Sequence, residues 1–173
     1  MQAISSADTS LNQVPGTFKL AKRVVPGAWD PHQVVLDYGG GKYDKFTRLL
    51  ESLGLTSFVF DPYNRTEDHN ARVRRRLERK PADVAVLANV LNVIRERAVR
   101  QEILRDLASM LKPAGNLFIT VHEGDRNSVG RKTAKGWQTN RPTKNYLREI
   151  RKVFPNAVLK AGGKLIHAQN ESA

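Results

Sequence analysis

At 173 residues and 19.4 kDa the chain has the length of one domain, enough to bury a core without covalent staples. It holds 29 Lys and Arg against 17 Asp and Glu, a net charge of +12, and no cysteine. This composition excludes a disulfide framework, a thiolate metal site and a cysteine nucleophile, and no apolar run approaches the roughly 18 residues of a membrane span.

The N-terminal residues lack the charged-then-apolar pattern of a secretory signal, so a soluble, cytoplasmic protein is expected. The basic excess is localised. Residues 71–80 hold six basic side chains and one acid, and residues 126–152 hold nine and one. Together these exceed the charge of the whole chain, which leaves the remainder at −1. A basic excess confined to two segments reads as a footprint for a polyanion such as DNA or RNA. The plainer alternative is a solvated, solubilising surface.

Residues 1–16 are rich in Ser, Asn, Gln and Thr and end in Pro15-Gly16, the composition of a flexible arm; the domain is expected over 17–173. Residues 17–30, with Phe18, Leu20, Val24, Val25 and Trp29, are expected to pack on it as a lead-in segment. Val34-Val35-Leu36 is a short apolar run ending in Asp37 and Gly39-Gly40-Gly41, a buried strand and a tight turn. Asp44 is placed to cap a helix whose apolar residues Phe46, Leu49, Leu50 and Leu53 recur at helical spacing before Gly54 stops it. Residues 57–60 form a second strand, ending in Asp61-Pro62. Thr66, with Glu67 and Asp68, opens an Arg-rich helix that runs to Lys80. Residues 83–88 are the next strand and close on Asn89.

A helix over 95–111 carries Val99, Ile103, Leu107, Met110 and Leu111 on one face. Lys112-Pro113-Ala114-Gly115 is a stop and turn before a strand over 117–121. Residues 124–141 show no periodicity and read as a long loop. Pro142-Thr143 opens a last helix with Tyr146, Leu147, Ile150, Val153 and Phe154 inward. Residues 158–160 and 164–167 are expected to close the sheet as an antiparallel pair.

Strands alternating with helices imply a mostly parallel sheet with helices on both faces, and such sheets bind ligands at the carboxyl ends of their strands. The glycine turn lets the backbone approach a ligand closely. About twenty residues on, Asp61 ends the second strand where a carboxylate can accept two hydrogen bonds from a ribose diol. Nicotinamide dinucleotides and S-adenosylmethionine both carry that ribose. A dinucleotide fingerprint wants a third glycine where Asp44 stands, and an acid there faces a pyrophosphate with the wrong charge. Asp37, ahead of the glycines, suits a cationic ligand, and only one mononucleotide-binding half is present.

The run Val34-Val35-Leu36-Asp37-Tyr38-Gly39-Gly40-Gly41 resembles the first motif of class I S-adenosylmethionine-dependent methyltransferases, D/E-x-G-x-G-x-G. Asp61 matches their second-strand acid, residues 83–94 resemble their fourth-strand motif, and Leu111-Lys112-Pro113-Ala114-Gly115 resembles the turn before their fifth strand. The resemblance implies an α/β fold: a single-domain, Rossmann-like three-layer sandwich, mostly parallel, with a closing antiparallel strand. Two positions depart from the pattern. Tyr43 stands at the third glycine. Only 21 residues separate Asp61 from Asp83, where the family fits a helix, a strand and a helix, so the third, edge strand is expected to be reduced or missing. The shortened middle resembles small methyltransferase-like proteins of phages and mobile defence loci, which implies the cytoplasm of a bacterial or phage-infected host cell.

Carried over residue by residue, the resemblance implies a cofactor set of Asp37, Tyr38, Gly39, Gly40, Gly41, Asp61, Pro62, Tyr63 and Asn89. Gly39 and Gly41 would line the methionine part, Asp37 would hold its ammonium, Asp61 would bind the ribose and Tyr63 would lie against adenine. No metal is expected. Methylation of pyrimidine carbon 5 by its usual route needs a cysteine and is out. Amino methylation of adenine or cytosine resembles a [D/N/S]-P-P-[Y/F/W] signature, and Asn89-Val90-Leu91-Asn92 lacks its prolines and aromatic residue.

His122 and Glu123, just after the fifth strand, are the candidate general bases; His32, His69 and His167 read as structural. In the 124–141 segment Arg131, Lys132, Lys135, Trp137, Gln138 and Arg141 supply cations, amides and a ring for phosphate contact, edge reading and stacking. Three readings stand at this point: a DNA or RNA methyltransferase, held on its target by 71–80 and 126–152; a small-molecule or protein methyltransferase; and a non-catalytic cofactor-binding or structural module. An oligomer or a partner protein would supply any extended target recognition.

Overall fold

Five consecutive buried residues, Val34–Tyr38 (β1), are what a strand needs when both its faces are covered. Val34, Leu36 and Tyr38 enter one core and Val35 the other. The same alternation runs through Ala82–Ala88 (β3), where Ala85 and Leu87 oppose Val84 and Val86. It recurs in Leu111–Thr120 (β4), where Leu117 and Ile119 oppose Phe118. The structure, a computed structural model, describes residues 14–171.

With Thr56–Phe60 (β2), Val158–Lys160 (β7) and Leu165–Gln169 (β8), these strands form one six-stranded sheet in the order β2-β1-β3-β4-β8-β7. The first four run parallel, and β8 and β7 close the sheet antiparallel. One face is covered by Gly16–Val24 (α1) and Lys45–Ser52 (α2), through Phe18, Ala21, Phe46 and Leu50. The other is covered by Glu67–Arg79 (α3), Arg97–Met110 (α4) and Leu147–Ile150 (α5), through Val73, Leu77, Leu104, Leu107 and Ile150. This is the three-layer, Rossmann-like sandwich expected.

Helix α3 alone fills the span between β2 and β3, so β2 is a sheet edge and the third strand of the family pattern is missing. Side chains of α3 stand in for it. The Nε2 atom of His69 lies 2.8 Å from the carbonyl oxygen of Val59. The Asn70 amide donates to the carbonyl of Asp61 at 2.9 Å and accepts from its N–H at 3.0 Å. Asn70 thus gives the backbone of Asp61 the donor and acceptor that a neighbouring strand would supply.

Several local expectations change. Asp44 precedes α2, but its side chain makes no capping bond; it pairs with Arg65 at 2.6 Å. The buried face of α4 centres on Arg100, Leu104 and Leu107 rather than on Val99 and Ile103. Arg100 belongs there because its guanidinium forks onto Glu149 of α5, at 2.7 and 3.0 Å. The last helix is one turn of 3-10 helix, Thr143–Tyr146, followed by the four residues of α5. The 124–141 segment is not an irregular loop, since Gly130–Thr133 (β5) and Gly136–Thr139 (β6) pair as a hairpin.

Of the arm expected over 1–16, residues 1–13 lie outside the described residues. Val14 packs on the core, and Gly16 already opens α1. Among the described residues no helix is long and apolar enough to cross a membrane.

Phe118 is fully buried and stacks on Trp29, at 5.7 Å between centroids, and on His167, at 4.9 Å. Phe118→Ala is expected to cost about 3–5 kcal/mol in urea unfolding, because one ring packs between Trp29, in the segment after α1, and His167 of the closing strand β8.

Candidate active site

Because β1, β2 and β3 run parallel, the segments that follow them converge at one edge of the sheet. They enclose a cavity of about 800 Å³, within the range of cofactor and small-ligand sites. Asp37, Tyr38, Gly39, Gly40, Gly41, Asp61, Pro62, Tyr63 and Asn89 all line it. His122, Lys135, Trp137 and Gln138 line it as well. Glu123, Arg131, Lys132 and Arg141 do not.

The glycine turn is shaped by close approach. Gly39 has φ +75°, and a Cβ there would sit 2.5 Å from Cγ2 of Val90. A Cβ at Gly40 would collide with the carboxylate of Asp37. Tyr43, at the third glycine of the motif, does not take a left-handed conformation, so its backbone needs no glycine. Arg65 holds this opened turn instead. Its Nε donates to the carbonyl of Gly41 at 2.8 Å, and one terminal nitrogen donates to the carbonyl of Tyr43 at 3.3 Å and to Asp44 at 2.6 Å.

Asp61 is 4% exposed and accepts four hydrogen bonds. Its Oδ2 takes the N–H of Gly41 at 2.8 Å and the side-chain amide of Asn64 at 3.1 Å. Its Oδ1 takes the N–H groups of Tyr63 at 2.9 Å and Asn64 at 3.0 Å. Four bonds fill the acceptor capacity of a carboxylate. Asp37 is the opposite case. It is 5% exposed and accepts no hydrogen bond from any described residue. Burial pushes its carboxyl up to about 7; the charge of Asp61 adds to the shift and Arg65 opposes it.

The hydroxyl of Tyr38 donates to Asp106 at 2.9 Å, so only the rest of this residue faces the cavity. Burial and the Asp106 carboxylate push the phenol up. Asp106 is also forked by Arg74, at 2.6 and 2.8 Å, which withdraws one cation from the 71–80 segment. Tyr63 stays half exposed at the cavity wall, its phenol pushed up by burial and by the charges of Asp61 and Glu96. Asn89 is left-handed at φ 58°, a conformation asparagine tolerates, and donates its N–H to the carbonyl of Thr120 at 2.9 Å.

The hairpin β5–β6 forms the far wall. Asn92 donates to Gln138 at 3.2 Å, and the guanidinium of Arg95 lies 5.2 Å from the centre of the Trp137 ring. These contacts tie the hairpin to the segment after β3. Oδ1 of Asn92 is buried in this wall with no hydrogen-bond partner among the described residues.

His122 sits exposed at the rim, after β4. Glu123 is turned away: its Oε1 takes both the N–H and the hydroxyl of Thr143, each at 2.8 Å, and its Oε2 takes Arg126 at 2.7 Å. Burial alone would raise its carboxyl, but the bonds from Thr143 and Arg126 outweigh that and lower it. Glu123 therefore clamps the turn that opens at Thr143 and leaves His122 as the only one of the pair in the cavity.

Val90 and Asn92 line the cavity beside Asn89, in the segment after β3, while Arg65, Ile94 and Ile103 belong to the site without having been read from the sequence. Arg65 had a signal, being a polar residue a few positions beyond a strand end.

The folded chain holds a proton on Asp37 up to about pH 7, whereas the unfolded chain releases it near 3.8. This contribution to stability is full below about 3.8 and is lost as pH rises through about 7. Asp37→Asn is expected to abolish the decline. In urea unfolding the variant should exceed the parent at pH 8 and show a flatter profile between pH 4 and 7.

A family profile described as a methyltransferase domain matches residues 16–161. No curated protein matches the chain. Similar solved structures include 1,6-didemethyltoxoflavin-N1-methyltransferase from Burkholderia thailandensis with bound 1,6-didemethyltoxoflavin and S-adenosylhomocysteine. It is 17% identical with a TM-score of 0.61, over 90% of this chain and 76% of that one. Human N-acetylserotonin methyltransferase in complex with SAM is 16% identical with a TM-score of 0.59, over 90% of this chain and 52% of that one. An O-methyltransferase family protein from Burkholderia thailandensis is 20% identical with a TM-score of 0.61, over 91% and 55%. At these identities the likeness is one of fold, and the chain spans little more than half the length of the last two. With the profile covering most of its length, and with the glycine turn, the second-strand acid and the sheet order in place, the chain belongs to the methyltransferase domain family, class I.

Proposed function

We propose that the chain is an S-adenosylmethionine-dependent methyltransferase whose acceptor is a DNA or RNA strand. The observation that carries the acceptor is the hairpin. Lys135, Trp137 and Gln138 line the cavity from β5–β6, while Arg131 and Lys132 stand exposed on the same hairpin. Cations around one ring at a cavity mouth suit phosphate contact and base stacking. The 71–80 segment supports this less than its charge implies. Helix α3 starts at the cavity edge and runs away from it, so Arg75, Arg76, Arg79 and Lys80 approach the opposite end of the sheet.

S-adenosylmethionine supplies a methyl group on a sulfonium, already a good leaving group. Asp37 fits the ammonium, being a buried carboxylate without a partner that faces the cavity beside a turn with no room for side chains. Asp61 fits the ribose by position, although its acceptor sites are filled. A diol there displaces the side-chain amide of Asn64 and leaves the three backbone N–H bonds intact. Tyr63, 46% exposed, offers a ring to adenine. A proton released by the acceptor passes to a ring nitrogen of His122.

A second reading takes a small-molecule acceptor. It is favoured by the solved relatives, whose names give 1,6-didemethyltoxoflavin and N-acetylserotonin as their substrates.

Calorimetric titration with S-adenosylmethionine is expected to give micromolar binding that Asp61→Ala abolishes; no binding by the parent overturns both readings. With labelled methyl donor, incorporation into an oligonucleotide should fall steeply with salt, the affinity slope changing by about 0.7 per single-strand phosphate contact. Salt-insensitive transfer to small molecules only would favour the second reading. His122→Ala should lower turnover about a hundredfold with donor affinity unchanged.

A further inference from the structure

We infer that the chain carries a separate phosphate pocket in the cleft between the start of α4 and the turn that leads into α5. The cleft has a volume of about 210 Å³ and is lined by Arg97, Arg100, Arg141, Asn145, Arg148 and Glu149. Three guanidinium groups, of Arg97, Arg100 and Arg141, lie within 4 Å of the Glu149 carboxylate, and Arg148 lines the same cleft. Arg100 already takes both oxygens of Glu149, at 2.7 and 3.0 Å. Arg97 and Arg141 only approach that carboxylate, at 3.9 and 3.5 Å, so it cannot neutralise them all.

Arg141 shows what is lacking. Its guanidinium lies flat on Tyr146, 3.6 Å from the ring centre. Its Nε and Nη2 are buried with no hydrogen-bond partner among the described residues. Buried cationic donors with no closer acceptor than a carboxylate oxygen at 3.5 Å are costly, and a phosphate supplies acceptors in the forked geometry that arginine matches.

The helix beside it breaks a second rule. The α4 N-terminus has no side-chain cap and no acid in its first turn; Arg97 and Arg100 stand where the helix dipole favours anions. Glu96, just before the helix, makes no capping bond to it. Two unfavourable arrangements of positive charge thus meet at one cleft, and an oxyanion relieves both. Local rules broken together mark a functional site.

The pocket adjoins the hairpin in sequence on one side and by contact on the other. Arg141 follows β6 by two residues, and Arg95, which lies over Trp137, precedes Arg97 by two. A strand held at Trp137 could therefore place a neighbouring phosphodiester here, and free phosphate carries the same chemistry. The pocket stands on this geometry alone; only its occupation by a strand rests on the proposed acceptor.

The test is the double variant Arg97→Gln, Arg148→Gln, which spares the buried Arg100–Glu149 pair and the Arg141 stack. Arg148→Gln alone, at an exposed position of α5, repeats it if the pair fails to fold. The probes are inorganic phosphate, read by thermal shift, and a short single-stranded oligonucleotide, read by titration at several salt concentrations. Phosphate should raise the Tm of the parent, and the variant should lose most of that rise. Oligonucleotide affinity at low salt should fall about tenfold, and the salt slope should be shallower by about 0.7 for one lost phosphate. S-adenosylmethionine binding should not change, which separates failure of this pocket from failure of the methyl-donor reading. Loss of the phosphate response with oligonucleotide binding intact supports the pocket and assigns it to free phosphate. An unchanged response to both probes, or no response by the parent, overturns it.

Discussion

The carboxylate of Asp61 is the fixed point of this site. A parallel sheet ends its strands together but does nothing to hold the loops that follow. Here one buried acid takes the N–H of Gly41 from the first loop and those of Tyr63 and Asn64 from the second. Arg65, in the second loop, reaches back to the carbonyls of Gly41 and Tyr43 and to Asp44. Between them the two residues close the glycine turn from both sides, which is why Tyr43 can occupy a position the family gives to glycine. Burial raises the carboxyl of Asp37, and the same buried charge on Asp61 adds to that rise. Holding the loops and destabilising the neighbouring carboxylate are one electrostatic fact seen from two residues.

That anchor must itself be anchored, and the missing third strand makes this harder. An edge strand presents unpaired backbone groups. Here the critical ones lie at Val59 of β2 and at Asp61 just past its end, next to the site, and α3 covers them with His69 and Asn70. Asn70 is buried in line with Val73 and Leu77, so the helix that replaces the strand spends one core-facing position on a polar residue. The shortened middle is thus compensated locally, by side chains bonding to backbone, with no extra layer of structure.

Much of the fold was legible because its signals are local. The short apolar runs of β1, β3 and β4, the glycine turn, and the acid after β2 each announce themselves within a few residues. The site residues that followed from them gather in one cavity for the same reason. What was not legible depends on contacts distant in sequence. Arg100 sits on the core side of α4 only because Glu149, 49 positions later, meets it. Glu123 looked like a base because it follows a strand end, yet Thr143 and Arg126 occupy it. The hairpin over 130–139 was missed because neither of its four-residue strands alternates apolar and polar residues; Trp137 is its one large ring, and it is held by Arg95 from another element. Asn70 could have been found, since it continues the buried spacing of Val73 and Leu77.

The distribution of charge then sorts what can bind where. The floor of the cavity holds two carboxylates, Asp37 and Asp61, and the arginine nearest to them is spent on the glycine turn. A pyrophosphate set against this floor would meet negative charge at close range in a site of reduced dielectric, where repulsion is strong. An ammonium there meets a carboxylate that burial has kept from ionising, and its arrival restores the charged form. On the opposite wall and beyond it the sign reverses, through Lys135, the exposed cations of the hairpin and the arginines around Glu149. If the acceptor is the proposed strand, it would be repelled from the floor and attracted to the rim, so donor and acceptor would be steered to opposite sides of one cavity before any specific contact forms.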